Sequence, residues 1–183
     1  METKEIAAPS LVKTALQFGL YTGLALVIYT LLLIITGLDL NFALGMVSFA
    51  ILVGGIVLAL KAFRQQNGGL MTYGQGLGAG ALTSLVVGLL VSLFSVIYSF
   101  YVDPSQRERQ LKYTVEKSEE MMKKFNAPEG DIDTAVEKVR EDFNNTGPVK
   151  TLFTGMLTYA IIGSLLSLVI AAIMKKNPGV FAQ

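Results

Sequence analysis

Charge vanishes from this chain over four long stretches and returns in short bursts between them. Ala15–Leu38, Leu40–Leu60, Gln65–Val102 and Thr151–Met174 contain no Asp, Glu, Lys or Arg. A helix rises about 1.5 Å per residue and a bilayer core is about 30 Å thick, so about 20 apolar residues cross it. Each stretch clears that length. The pattern predicts membrane-spanning helices at about 14–36, 40–60, 76–102 and 149–176, flanked by tails at 1–13 and 177–183.

The third stretch carries a second periodicity. Gly76, Gly80, Ser84, Gly88 and Ser92 recur every four residues, and Gly163, Ser167 and Ala171 repeat the spacing in the fourth stretch. Residues four apart share one helix face, and small ones let a neighbouring backbone approach closely, which drives helix association inside lipid. Both rows are predicted packing seams, able to pack against each other. Gly19 and Gly23 form a GxxxG pair in the first span.

Gly37-Leu38-Asp39 is too short to do anything but fold the first two spans into an antiparallel hairpin. Gln65-Gln66-Asn67-Gly68-Gly69 has turn composition. Between the third and fourth spans, residues 103–148 are polar. Asp103-Pro104 is a helix-start pair, Asp capping free N–H groups and Pro fitting the first helical position. Leu111, Val115, Met122 and Phe125, with Ser118 among them, follow a four-three spacing, as do Ile132, Val136, Val139 and Phe143. Glu119 with Lys123 and Glu120 with Lys124 are oriented i,i+4 pairs, and Asp131 is placed to cap the second helix. These features predict an amphipathic helical hairpin broken at Asn126-Ala127-Pro128-Glu129-Gly130. The fold class is therefore all-α: a polytopic membrane protein of four transmembrane helices with a helical hairpin between the third and fourth.

Composition fits this. The 183 residues are 52% hydrophobic and 16% charged, against roughly 25% charged in a soluble domain. Histidine and cysteine are absent, which removes thiolate chemistry, the commonest metal ligand and the commonest neutral-pH acid or base. No catalytic, cofactor or metal site is expected. A net charge of +1 gives no reason to expect nucleic acid. Gly74-x-Gly76-x-x-Ala79 fits a loose dinucleotide fingerprint, but no strand precedes it, so helix packing explains it better.

With four spans both termini share a side. Lys4, Lys13, Lys61, Arg64, Lys175 and Lys176 fall there, and the short first loop opposite holds Asp39 alone. The positive-inside rule places both termini in the cytoplasm. Nine cations in the long loop, from Arg107 to Lys150, argue the other way, since at about 48 residues it falls within the range of up to about 60 that the rule counts.

Leu70-Met71-Thr72-Tyr73-Gly74-Gln75-Gly76 before the third span, Tyr98, Tyr101, Asp103 and Pro104 after it, and the charged helical loop with Met121-Met122 resemble a bacterial family of four-span membrane proteins catalogued as a domain of unknown function. The resemblance covers about residues 10–176 and implies a small inner-membrane protein with no established activity.

Three classes of function remain. A non-enzymatic accessory or assembly module would use residues 104–147 as its partner surface. A channel or transporter for a neutral solute would line its path with Gln17, Thr22, Tyr29, Thr83 or Ser84; ion coupling is disfavoured, because no ionisable acid or base lies in any charge-free stretch. An enzyme is the least expected, since the acids alternate with Lys and Arg as on a solvated face. The bilayer is the expected partner, and the sequence names no oligomeric state.

Overall fold

The computed structural model describes residues 10–176, so the expected tails lie, apart from residues 10–13, outside the described residues. Six helices follow in order: α1 Leu11–Ile35, α2 Phe42–Gln66, α3 Tyr73–Ile97, α4 Pro104–Lys124, α5 Glu129–Asn144 and α6 Pro148–Met174. A π-helical turn, Tyr98–Val102, extends α3.

The helix ends are set by capping chemistry. Ser10 Oγ accepts from Lys13 N at 3.2 Å, so α1 begins three residues before the position expected from charge alone. At its other end Leu38 N donates to Leu33 O and Gly37 N to Ile34 O, a Schellman closure with Gly37 at φ +69°. Asn41 Oδ1 caps α2 through Ala43 N and Leu44 N. That helix runs past Lys61 and Arg64 to Gln66 before Gly68, at φ +63°, turns the chain. Gln65 and Gln66, two of the five residues of the expected turn, are thus helix, because cations near the end of a span are compatible with its helical backbone.

The chain divides into two compact units, residues 1–91 with 155–183, and residues 92–154. In the first, α3 is the helix against which the others pack. An added Cβ at Gly19 would lie 2.7 Å from Val86 Cβ, and one at Gly23 2.6 Å from Leu90 Cδ1, so the GxxxG face of α1 lies directly on α3. Gly55 of α2 receives the Thr22 side chain of α1, and Ile56 reaches Gly80. Leu26, Ile56, Leu60, Met71 and Val87 fill the core.

The outward faces are also apolar. Val12, Leu16, Leu20, Leu24, Ile28, Leu32 and Ile35 form an exposed stripe along the whole of α1. Soluble proteins rarely expose so large an apolar patch, whereas lipid covers one without cost. Four helices are long and apolar enough to span: α1, α2, α3 with its π turn, and α6. The chain is a multi-pass membrane protein.

The second unit holds the hairpin of α4 and α5. Phe125 ends α4, and Asn126 at φ +55° closes it, with Ala127 N donating to Met122 O. Val115 and Ile132 are buried at the seam, but Phe125, expected as its last member, is 78% exposed. The four-three pattern outlasts the helix that it describes. Asp131 does not cap α5, which begins two residues earlier at Glu129 after Pro128. Glu119 pairs with Lys123 at 3.4 Å as expected, while Glu120 pairs with Lys117 rather than Lys124.

Candidate functional site

The two seams meet residue by residue. A Cβ added at Gly76 would lie 2.8 Å from Ala171 Cβ, at Gly80 2.8 Å from Ser167 Cβ, and at Gly88 2.7 Å from Tyr159 Cβ; one at Gly163 would strike the Ser84 side chain. Each step of four forward along α3 meets a step of four back along α6, so the helices are antiparallel and in register. The buried hydroxyls turn inward: Ser84 Oγ donates to Gly80 O at 3.0 Å, Thr83 Oγ1 to Ala79 O at 2.7 Å and Ser167 Oγ to Gly163 O at 2.6 Å. Bonding to the carbonyl one turn back satisfies each group where no water is available. Ser92, the last predicted seam residue, belongs to the second unit; it is buried and its hydroxyl has no hydrogen-bond partner among the described residues.

Leu70 to Gly76 acts as a helix-start device. Thr72 Oγ1 accepts from Gln75 N at 3.2 Å, and Gln75 Oε1 accepts from Thr72 N at 2.9 Å. This reciprocal pair is a capping box, and it starts α3 at Tyr73 rather than at 76. The T-x-x-Q signal was present in the sequence. Met71, fully buried, exchanges two backbone hydrogen bonds with Lys176, at 3.0 and 2.9 Å. Arg64 Nε donates to Gly69 O at 3.1 Å and its Nη1 to Met174 O at 3.4 Å, and Thr14 Oγ1 donates to Gln66 Oε1 at 3.1 Å. These bonds tie together the start of α1, the end of α2, the start of α3 and the end of α6. Gly74 has open space where a side chain would stand.

In the second unit, Asp103 N donates to Tyr98 O at 2.8 Å, the five-residue step of a π turn. Asp103 Oδ1 caps α4 through Ser105 N and also accepts from Ser105 Oγ, Oδ2 pairs with Arg109 at 2.9 Å, and Pro104 takes the first helical position. Tyr101 stands 72% exposed. The hydrogen bonds from Ser105, then the Arg109 guanidinium, hold the Asp103 carboxyl below its usual 3.8. A lowered folded-state pKa stabilises the cap fully above the ordinary aspartate range, and the effect fades as pH falls through the folded value. Hairpin helicity should therefore drop as pH is lowered from 5 to 2. Asp103→Asn should flatten that slope, which circular dichroism of paired titrations would detect.

Arg107, which sequence reading treated only as a charge, joins two rings and two main-chain carbonyls of this unit. Its guanidinium lies 4.4 Å from the Phe100 ring centroid and 4.5 Å from that of Phe143. Its Nη2 donates to Phe143 O and, at 2.7 Å, to Thr146 O. Carbonyls at the end of α5 supply the negative partner that no acid supplies.

The family model described as a protein of unknown function, DUF4199, matches residues 17–176. The chain belongs to this family. Comparison of the DUF4199 chain with curated proteins and with solved structures returned no match. The matched range takes in both seams, the capping box and the Arg107 clasp. Among the described residues, no three His, Cys, Asp or Glu side chains converge in a way that could hold a metal.

Proposed function

We propose that this DUF4199 protein is a non-enzymatic accessory or assembly module of a cell inner membrane, with both termini in the cytoplasm and a protein partner held through residues 104–147. The observation that carries this reading is the Arg107 clasp. A segment that merely joined two spans would not need two ring contacts and two carbonyl bonds to brace it. The exposed acids and bases of α4 and α5 suit a solvated recognition surface better than a reaction centre.

The alternative is a path for a neutral solute, whose candidate lining residues already have local partners. Thr83 and Ser84 are bonded to their own helix, Gln17 Nε2 donates to Tyr21 Oη at 3.3 Å, Tyr29 Oη donates to Leu44 O at 3.1 Å, and Thr22 packs on Gly55. Orientation is supported by the charge of the first unit: among its described residues Lys13, Lys61, Arg64, Lys175 and Lys176 flank one set of helix ends, and the sole acid is Asp39 in the first loop. In the hairpin Arg107, Arg109, Lys117 and Lys123 have local partners. The rule counts Lys and Arg themselves, however, so the orientation rests on the charges of the first unit.

A photoreactive group at the exposed position 137 and a chain with residues 104–147 replaced by a glycine-serine linker test the reading. One heteromeric adduct of fixed stoichiometry, lost in the linker chain, is expected, together with glycerol efflux no faster than from empty vesicles. Glycerol efflux above that background, or no adduct at all, would contradict it.

A further inference from the structure

The α3–α6 pair carries an apolar groove on its outer side. Leu77 and Ala81 of α3 and Ala160, Ser164, Leu165 and Leu168 of α6 line a space of about 520 Å³. The floor is low because alanine and serine stand between leucines. Leu165 is 59% exposed, so the groove opens outward within two spans.

Helical register shows what stands at the end of this groove. Tyr73, Leu77 and Ala81 are spaced by four along α3. Ile161, Leu165 and Leu168 share a face of α6 that continues, two turns on, to Lys175. Both rows therefore run out of the apolar groove toward a hydroxyl and an ammonium at the same end, where the Met71–Lys176 backbone bonds hold the start of α3 against the end of α6. Lys175 and Lys176 are exposed and have no ion pair among the described residues. Among the described residues of the first unit, no acid lies at this end. Leu168 to Lys175 is about 10 Å along the axis and Ile161 to Lys175 about 21 Å. One leaflet of hydrocarbon is about 15 Å thick, so head and tail distances match a lipid of a single leaflet.

The geometry points to a site for an anionic phospholipid, its acyl chain lying in the α3–α6 groove and its phosphate held by Lys175 and Lys176 with the Tyr73 hydroxyl beside it. Bulk lipid would wet any outward face. Here two exposed cations at the mouth select the headgroup, and the groove fixes the chain. Arg64 is not part of the site, because its fork is occupied by the Gly69 and Met174 carbonyls.

Native mass spectrometry of the whole chain in neutral detergent, with phosphatidylglycerol or phosphatidylcholine of the same chains added, tests this. One retained phosphatidylglycerol per chain is expected, at least tenfold over phosphatidylcholine. Lys175→Gln with Lys176→Gln should remove most of that preference, while Lys13→Gln with Lys61→Gln, cations on other helices, should leave it within twofold. Ala160→Leu should lower retention of both lipids, and dihexanoyl phosphatidylglycerol, too short to fill the groove, should be retained weakly by the unaltered chain. Equal retention of the two headgroups, an equal loss from the Lys13 and Lys61 pair, or full retention of the dihexanoyl lipid would overturn the assignment. Competition by millimolar inorganic phosphate as effective as that by the long-chain lipid would also overturn it, since the site would then be for free phosphate.

Discussion

Gly88→Ala destabilises the bundle by about 1 to 3 kcal/mol, although alanine is the better helix former. The added methyl would meet Tyr159 Cβ at 2.7 Å and the Met156 carbonyl oxygen at 2.9 Å. Part of that obstruction is backbone, so no rotamer change relieves it and α6 must move away from α3. The rest of the seam then loses contact, because Gly76, Gly80 and Ser84 meet α6 in the same register. Gly54→Ala is the matched control: that glycine lies inside α2 with nothing within 4 Å of an added Cβ, and the change should be neutral or stabilise by up to about 1 kcal/mol. Reversible unfolding in mixed micelles, followed by helicity, separates the two. Equal stabilities for both variants would mean that the α3–α6 seam is not closely packed.

Arg107→Ala costs the hairpin about 2 to 4 kcal/mol. Two ring contacts contribute about 0.5 to 1 kcal/mol each where partly exposed, and the two charge-assisted carbonyl bonds, which share the one Nη2, about 1.5 kcal/mol together. Arg107→Lys recovers little, since an ammonium cannot present a flat face to Phe100 and Phe143 while donating to the carbonyls of Phe143 and Thr146. Hydrogen exchange should show the end of α5 opening in both variants while the first unit keeps its protection. Unchanged exchange in Arg107→Ala would remove the clasp as the brace of the hairpin.

The seams were legible because glycine and serine at a spacing of four leave few uses other than close approach in an uncharged helix. Their partners were legible for the same reason: Gly163, Ser167 and Ala171 repeat the spacing that Gly76, Gly80 and Ser84 require. Gly19 and Gly23 needed the structure, because the pair alone does not say what it faces. Thr72 and Gln75 were readable as a capping box, but the glycines at 74 and 76 drew the helix start inward. Arg107 was not readable at all. Its hydrogen-bond partners are main-chain carbonyls 36 and 39 residues away, and a carbonyl leaves no mark on the sequence. Phe125 failed for a local reason: the periodicity continues through it, while Asn126 in left-handed geometry ends the helix and leaves the ring outside the seam.

With four spans and, as proposed, the cationic end in the cytoplasm, the α2–α3 loop and the hairpin are expected on opposite sides of the membrane. Single cysteines suit the test, since the chain has none of its own. Gln65 and Glu137 are both exposed, and Gln65 avoids the left-handed glycines beside it, where a side chain would strain the turn. A membrane-impermeant maleimide added to intact cells is expected to label Glu137→Cys at once and Gln65→Cys only after the membrane is opened. Labelling of both from the outside would contradict the number of spans, and the reverse order would contradict the orientation.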